Sequence, residues 1–369
     1  IISLKCIMLE SFVGNEKESK RIKPELLKNN IKEIFISMGE DESDSNLAAD
    51  ALVVADLRGV ESHGVSNMLR LYVEQYKKKE LKPKAKISII KDNLASCSLD
   101  GDTGLGIITT PKAMDIAIEK AKKTGIGVVT INNSRHLGMA SYHALKALKH
   151  NMIGVCVSSC PPQVVPTYGT EPLLGTNPIA IAAPSNIKPP YVFDAAMSSV
   201  AANKIGIAKR LGNNLLPGWI TDNEGNPLME ELNPEEYKKN GENYLLPLGS
   251  TREMGSHKGY GLAGMVDILG GILTGGGYGV KPGRPNFGHM VTAYNIEAFM
   301  DYNEYINTMD EWLQMLVESK PIKNRKVIYP GLTEYNTQKD REENGIPVHL
   351  EVIEWFEKIN KELKIKQRI

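Results

Sequence analysis

A change in hydrophobic period near Pro83 constrains the fold of this chain more than any other feature of its sequence. Before it, apolar residues recur every three or four positions. In residues 24–38 these are Leu26, Leu27, Ile31, Ile34 and Phe35; in 43–57 they are Leu47, Ala51, Val54 and Leu57. That spacing lines one face of a helix. Asp41 or Ser43 is placed to cap the second of these helices. A polar turn, RGVESHG, follows, and a third helix is predicted over 67–78. Beyond Pro83 the texture alternates. Strands are expected at KISIIKDN, ASCSLDGD, GIGVVTINNS, MIGVCVSS, PIAIAAP and PPYVFDA, with helices over 111–123 and 140–150 between them. Thr109, Thr110 and Pro111 read as the opening of the first of these helices. Strands alternating with helices indicate an α/β domain. Residues 259–273 return to helical spacing, and a last amphipathic helix is expected over 350–363. The chain thus divides into a helical part at 1–84, an α/β domain at 85–250, and a second helical part with a C-terminal segment at 251–369.

Charge and cysteine content narrow the function. Lys plus Arg and Asp plus Glu both number 44. Without net charge there is no electrostatic case for nucleic acid or an anionic membrane as partner. The 41% hydrophobic content is that of a folded globular chain rather than a disordered one. The cysteines Cys6, Cys97, Cys156 and Cys160 form no C-x-x-C pair, and no His or Cys cluster completes a metal site around Cys156 and Cys160. Reduced, buried thiols in a reducing, cytoplasmic setting are expected, with no metal. The longest apolar stretch, 262–280, carries Asp267 and is broken by glycines, so it reads as helix and loop rather than a membrane span. The opening IISLKCIMLESF lacks the basic region and small-residue cleavage site of a leader. Residues 237–243 are the most loop-like polar run.

Gly259, Gly261 and Gly264 spell G-x-G-x-x-G, but no buried strand precedes them and no acid follows about 20 residues on. These glycines therefore read as close packing at a helix start. Lys258 beside them stands where a helix N-terminus could meet a phosphate; a solvated surface lysine is the plainer reading.

Other residues carry more chemistry. His63 sits in the RGVESHG turn and His136 directly after a predicted strand, each with a glycine close by. Imidazole is the natural acid or base near neutrality, although a hydrogen-bonded structural histidine is the commoner use. Asp194 ends an apolar strand, where a carboxylate needs a partner: an imidazole it orients, or the helix after it, as an N-cap. Arg58 and Arg70 are the nearest arginines to His63 and candidates for holding a substrate carboxylate; for Arg70, on its helix, a surface salt bridge is the alternative. LGTNPIAIAAP, with Thr176 and Asn177, and PPQVVPTYG present amides suited to a nicotinamide carboxamide or a phosphate, or serve as structural turns.

Taken together, ADLRGVESHGV, GDTGLG, the RHLG-x-x-x-Y segment, PQVVPTYG, LGTNPIAIAAP, FDAAMSSVAANKI, PGWITDNEGNP, HKGYGLAGMVDIL, YPG and ENGIPV resemble the type 2 malate/L-lactate dehydrogenase family. They run in order over nearly the whole chain. The resemblance implies a non-Rossmann NAD(P)-binding α/β fold, with a helical domain from both chain ends and an inserted nicotinamide domain. It implies a homodimer and hydride transfer between NAD or NADP and C2 of a small 2-hydroxy acid, malate first. Lactate, sulfolactate, ureidoglycolate or a cyclic imino acid are alternatives on the same scaffold, and a nicotinamide-binding scaffold without catalysis is the non-enzyme alternative. His63 matches the family's proton donor or acceptor, Asp194 the aspartate supporting it, and His136 a second histidine that is catalytic in some members. Cofactor contacts carry over to Cys160, Pro166, Thr176, Asn177, Phe193, Asp194, Lys258 and Gly259. Three departures stand out: Ala195 replaces methionine in D-A-A-M-S, Leu332 replaces an acid after P-G, and the GSTREMGS region is longer.

Overall fold

The computed structural model describes residues 18–238, 243–284, 287–366 and 369. The N-terminal reading, Cys6 and the middle of the 237–243 loop lie outside the described residues. The elements follow in the order β1 (Ser19–Ile22), α1 (Pro24–Ser37), α2 (Glu42–Leu57), α3 (Val65–Lys77), β2 (Ser88–Asp92), β3 (Ser96–Asp100), α4 (Gly106–Thr124), β4 (Ile126–Ser134), α5 (Ala140–Leu145), β5 (Met152–Ser159), β6 (Ile179–Ala183) and β7 (Tyr191–Ala195). After these come α6 (Asn203–Leu211), α7 (Ser256–Val266), β8 (Phe287–Asn295), α8 (Tyr302–Glu318), α9 (Leu332–Asn344), β9 (Ile346–His349) and α10 (Leu350–Glu362).

The apolar stripes of α1, α2 and α3 meet in one core. Leu27, Ile31, Phe35, Leu52 and Leu69 are fully buried there, together with Phe356 of α10. Burying a side chain of this size stabilises by about 1.5–3 kcal/mol. Asp41 caps α2, accepting from the Asp44 amide at 2.8 Å. β1 and β9 pair antiparallel, Ser19 opposite His349 and Ile22 opposite Ile346, so the two chain ends close the helical part together.

The larger sheet has seven strands in the order β2-β3-β4-β8-β5-β6-β7. Only β3 and β4 run parallel; every other neighbouring pair is antiparallel. That order is incompatible with a Rossmann sheet, as the family resemblance implied. α4 and α5 cover one side of the sheet. α7 and the π-helical turn that continues it, Asp267–Ile272, also pack on it.

Two boundaries move. The central strand β8 comes from residues beyond 250, so the α/β domain does not end there. Its sequence, FGHMVTAYN, lacks clean alternation because it is covered on both faces. α4 starts at Gly106, not at 111: Thr109 and Thr110 lie buried inside it and Pro111 is accommodated within the helix.

Candidate active site

Two turns meet where the helical part joins the sheet. The first runs from Arg58 to Gly64 after α2, with a 3-10 turn at Glu61–His63. Asp56 holds its exit, accepting from the Val65 amide at 3.0 Å. Arg341 of α9 donates to the Asp56 carbonyl at 2.5 Å and to the Glu61 carboxylate at 2.6 Å. Asn203 of α6 donates to the Ser62 carbonyl at 2.8 Å. A Cβ on Gly64 would stand 1.7 Å from Asp56 Oδ1, so this glycine makes room for the anchoring carboxylate, not for a ligand. Burial, with Glu61 nearby, pushes the Asp56 carboxyl up to about 8.

The second turn, residues 135–138, follows β4. The start of α4 packs against it so closely that a Cβ on Gly106 would stand 2.2 Å from the Arg135 carbonyl oxygen. His136 Nδ1 meets the Tyr72 hydroxyl at 2.7 Å and the Gly138 amide at 3.3 Å. An amide nitrogen only donates. Nδ1 therefore carries the lone pair, Tyr72 donates as well, and the ring proton of His136 sits on Nε2. His63 Nδ1 meets the Ser62 hydroxyl at 2.9 Å, a partner that can donate or accept. The two imidazoles stack, with centroids 5.6 Å apart and planes inclined by 13°.

Both rings line one cavity of about 310 Å³. Arg58, Asp194, Glu334, Cys160 and Thr176 line it too. Desolvation holds His63 down to about 4, and desolvation followed by the charge of His63 holds His136 well below its ordinary value. Both are neutral near pH 7. Asp194 lines the cavity and is exposed to it. Desolvation raises its pKa to about 6, opposed by the Ser141 hydrogen bonds and then by Arg58. Arg58 is 5% exposed; it donates to Gln338 at 3.3 Å, and its buried Nε has no hydrogen-bond partner among the described residues.

The structure does not bring all the expected residues here. Asp194 makes no hydrogen bond or ion pair with His63: it accepts from the Ser141 amide at 2.7 Å and so caps α5, a helix remote in sequence, rather than the helix after it. Arg70 lies outside the cavity, paired with Glu351 at 2.6 Å and placed over the Trp355 ring. Phe193 points away, because alternation on β7 turns Val192 and Asp194 to the cavity. Asn177 is fully buried and acts as a bracket, accepting from the Cys160 amide at 2.9 Å and donating to the Ala263 carbonyl at 2.9 Å. Gly259 packs on the Leu248 backbone, which a Cβ would meet at 2.3 Å, while Gly261 and Gly264 face open space. Lys258 is exposed on the first turn of α7. Pro166 lines a second cavity of about 450 Å³, with Arg252, Glu224 and Ser256 at the start of α7.

Sequence reasoning missed Tyr72, Ser62, Ser158 and Glu334. Helical phase was the one available signal for Tyr72, which falls on the buried face of α3. The others enter only through tertiary contact.

The malate/L-lactate dehydrogenase family model matches residues 22–357. The malate dehydrogenase of Pyrococcus abyssi is 38% identical over 340 residues, covering 90% of this chain and 92% of the relative. The L-sulfolactate dehydrogenase of Methanocaldococcus jannaschii is 34% identical over 329 residues, covering 87% of this chain and 91% of the relative. Among solved structures, malate dehydrogenase from Entamoeba histolytica superposes with a TM-score of 0.89 at 32% identity, covering 94% of this chain and 99% of that one.

The anchoring of the His63 turn is open to a double-mutant cycle. Gly64→Ala is expected to destabilise by about 2 kcal/mol or more, through loss of the Asp56 bond to Val65. In the Asp56→Ala background the same change should cost at least about 1 kcal/mol less in thermal unfolding. Additive effects would contradict the contact.

Proposed function

The chain belongs to the malate/L-lactate dehydrogenase family, and from that membership we propose that it interconverts malate and oxaloacetate. At the coarser level it is an NAD(P)-dependent 2-hydroxy acid dehydrogenase. The observation that carries the proposal is one cavity holding a buried, incompletely bonded guanidinium, two neutral imidazoles and a partly desolvated carboxylate.

The residues fit a substrate and a nicotinamide side by side. Arg58, with an orphaned Nε, is suited to bind a carboxylate through charge-assisted hydrogen bonds. Ser158, Cys160, Gln163 and Thr176 offer an uncharged polar wall suited to the nicotinamide ring and its amide. The second cavity, beside Pro166 and Arg252, is suited to the adenosine half. When bound, the nicotinamide exchanges a hydride with substrate C2.

The histidines divide the remaining work. His136 is held as an Nε2–H donor by Tyr72 and Gly138, so it steadies the substrate oxygen and does not change protonation. The Ser62 hydroxyl beside His63 can reverse its direction, so His63 is free to take the hydroxyl proton during oxidation and return it during reduction. A neutral ring is already a base. The charge it gains is compensated across the cavity by Asp194, ionised above about pH 6. In this reading Asp194 acts through the field and by fixing α5, not by orienting the ring.

A homodimer accompanies this reading. Tyr260, Met265, Ile268 and Ile272 form an exposed apolar stripe along α7 and its π-helical continuation, from 40% to 57% exposed, which suits burial against a second copy. The methanogen relative supports sulfolactate as the second substrate reading.

A steady-state panel of malate, sulfolactate and lactate with NAD and with NADP tests the proposal. Malate is expected to give the highest kcat/KM; a preference for sulfolactate would replace it. His63→Ala is expected to lower kcat by about 10²- to 10⁴-fold while leaving the Kd for reduced dinucleotide within about threefold. Undiminished turnover in that variant would remove His63 from the proton step.

A further inference from the structure

His289 and Ser158 pair across the antiparallel strands β8 and β5. His289 is fully buried. Its Nε2 lies 3.0 Å from the Arg135 carbonyl and its Nδ1 2.9 Å from the Ser158 hydroxyl. A carbonyl can only accept, so Nε2 carries the proton and Nδ1 the lone pair. Burial lowers the His289 pKa to about 3, so the ring stays neutral and this arrangement is fixed. The single hydroxyl proton of Ser158 is therefore committed to His289. What Ser158 presents to the cavity it borders is an oxygen that can only accept.

We propose that Ser158, its proton held by His289, accepts a hydrogen bond from the amide NH₂ of the bound nicotinamide and thereby sets the orientation of the ring. This rests on the nicotinamide reading above. The wall around Ser158 supports it. Cys160, Gln163, Thr176 and Pro178 beside it carry no charge, as a neutral amide requires, and the Cys160 thiol, 3.7 Å from Ser158 Oγ, leaves one of the two oxygen lone pairs free. His289 is a positioning residue in this scheme. It also ties the Ser158 wall to Arg135, the neighbour of His136, so the ring-binding wall and the substrate-facing imidazole share one brace.

The test is binding, read by fluorescence titration, of reduced nicotinamide dinucleotide against its 3-acetylpyridine analogue, in both the NAD and NADP series. The analogue replaces the NH₂ by a methyl group and so lacks the donor. The unmodified protein should prefer the amide by about fivefold to tenfold, the worth of one hydrogen bond. In Ser158→Ala that preference should fall below about twofold, because the amide form alone weakens. His289→Leu frees the Ser158 proton to meet the acetyl oxygen, so the preference should fall there too, with Ser158 still present. Retention of the full preference in Ser158→Ala, with both dinucleotides bound, overturns the proposal and leaves the cofactor reading standing. Failure of the unmodified protein to bind either series overturns the cofactor reading itself.

Discussion

The stacked pair His63 and His136 is the contact on which the site depends. One ring comes from the helical part and the other from a turn at the end of β4, so the pair exists only when the two parts are docked. Two imidazolium ions at this separation would repel strongly in a low-dielectric cleft. Desolvation lowers both rings and the charge of His63 adds to it at His136, so both are held neutral. Neutrality suits a dehydrogenase cavity, because the positive charge is left to Arg58, whose guanidinium does not give up its proton, and the imidazoles remain hydrogen-bond partners and a base.

Supports from several elements keep the pair in register. Asp56, Arg341 and Asn203 reach the first turn from α2, α9 and α6. Tyr72 and His289 reach the second from α3 and β8. Residues far apart in sequence thus converge on two short turns, and the chain-end pairing of β1 with β9 brings α9 into place. Such turns carry little hydrophobic content of their own and rely on these hydrogen bonds for shape.

Much of this was legible in the sequence. Helical spacing located α1, α2 and α3, and apolar runs located β3 to β7, because those segments bury one face or both and their side chains repeat accordingly. The glycine motif was set aside because it lacked its strand, and the non-Rossmann fold followed from the family resemblance. His63, His136, Asp194, Arg58, Cys160 and Thr176, all named from the sequence, line one cavity. Three named residues lie elsewhere. Arg70 was named for its nearness to His63 in sequence, and Phe193 and Asn177 were carried over from the family resemblance, while their surroundings are decided by which way a side chain points: Arg70 toward Glu351, Phe193 across the sheet, Asn177 into a backbone bracket. Gly64 stood out in the sequence as a glycine beside His63, and the third dimension reveals the Asp56 carboxylate behind it. β8 was missed because a strand covered on both faces loses the alternation that would announce it.

The central claim is that two neutral, stacked imidazoles face the substrate, one of them locked in a single tautomer. ¹⁵N chemical shifts of the histidine rings, followed from pH 8 down to pH 5, test it most directly. His136 should show the Nε2–H pattern throughout, and His63 should remain unprotonated at pH 5, in keeping with its depression to about 4. An Nδ1–H pattern at His136, or a His63 ring that protonates with the ordinary value of about 6.5, would contradict the account.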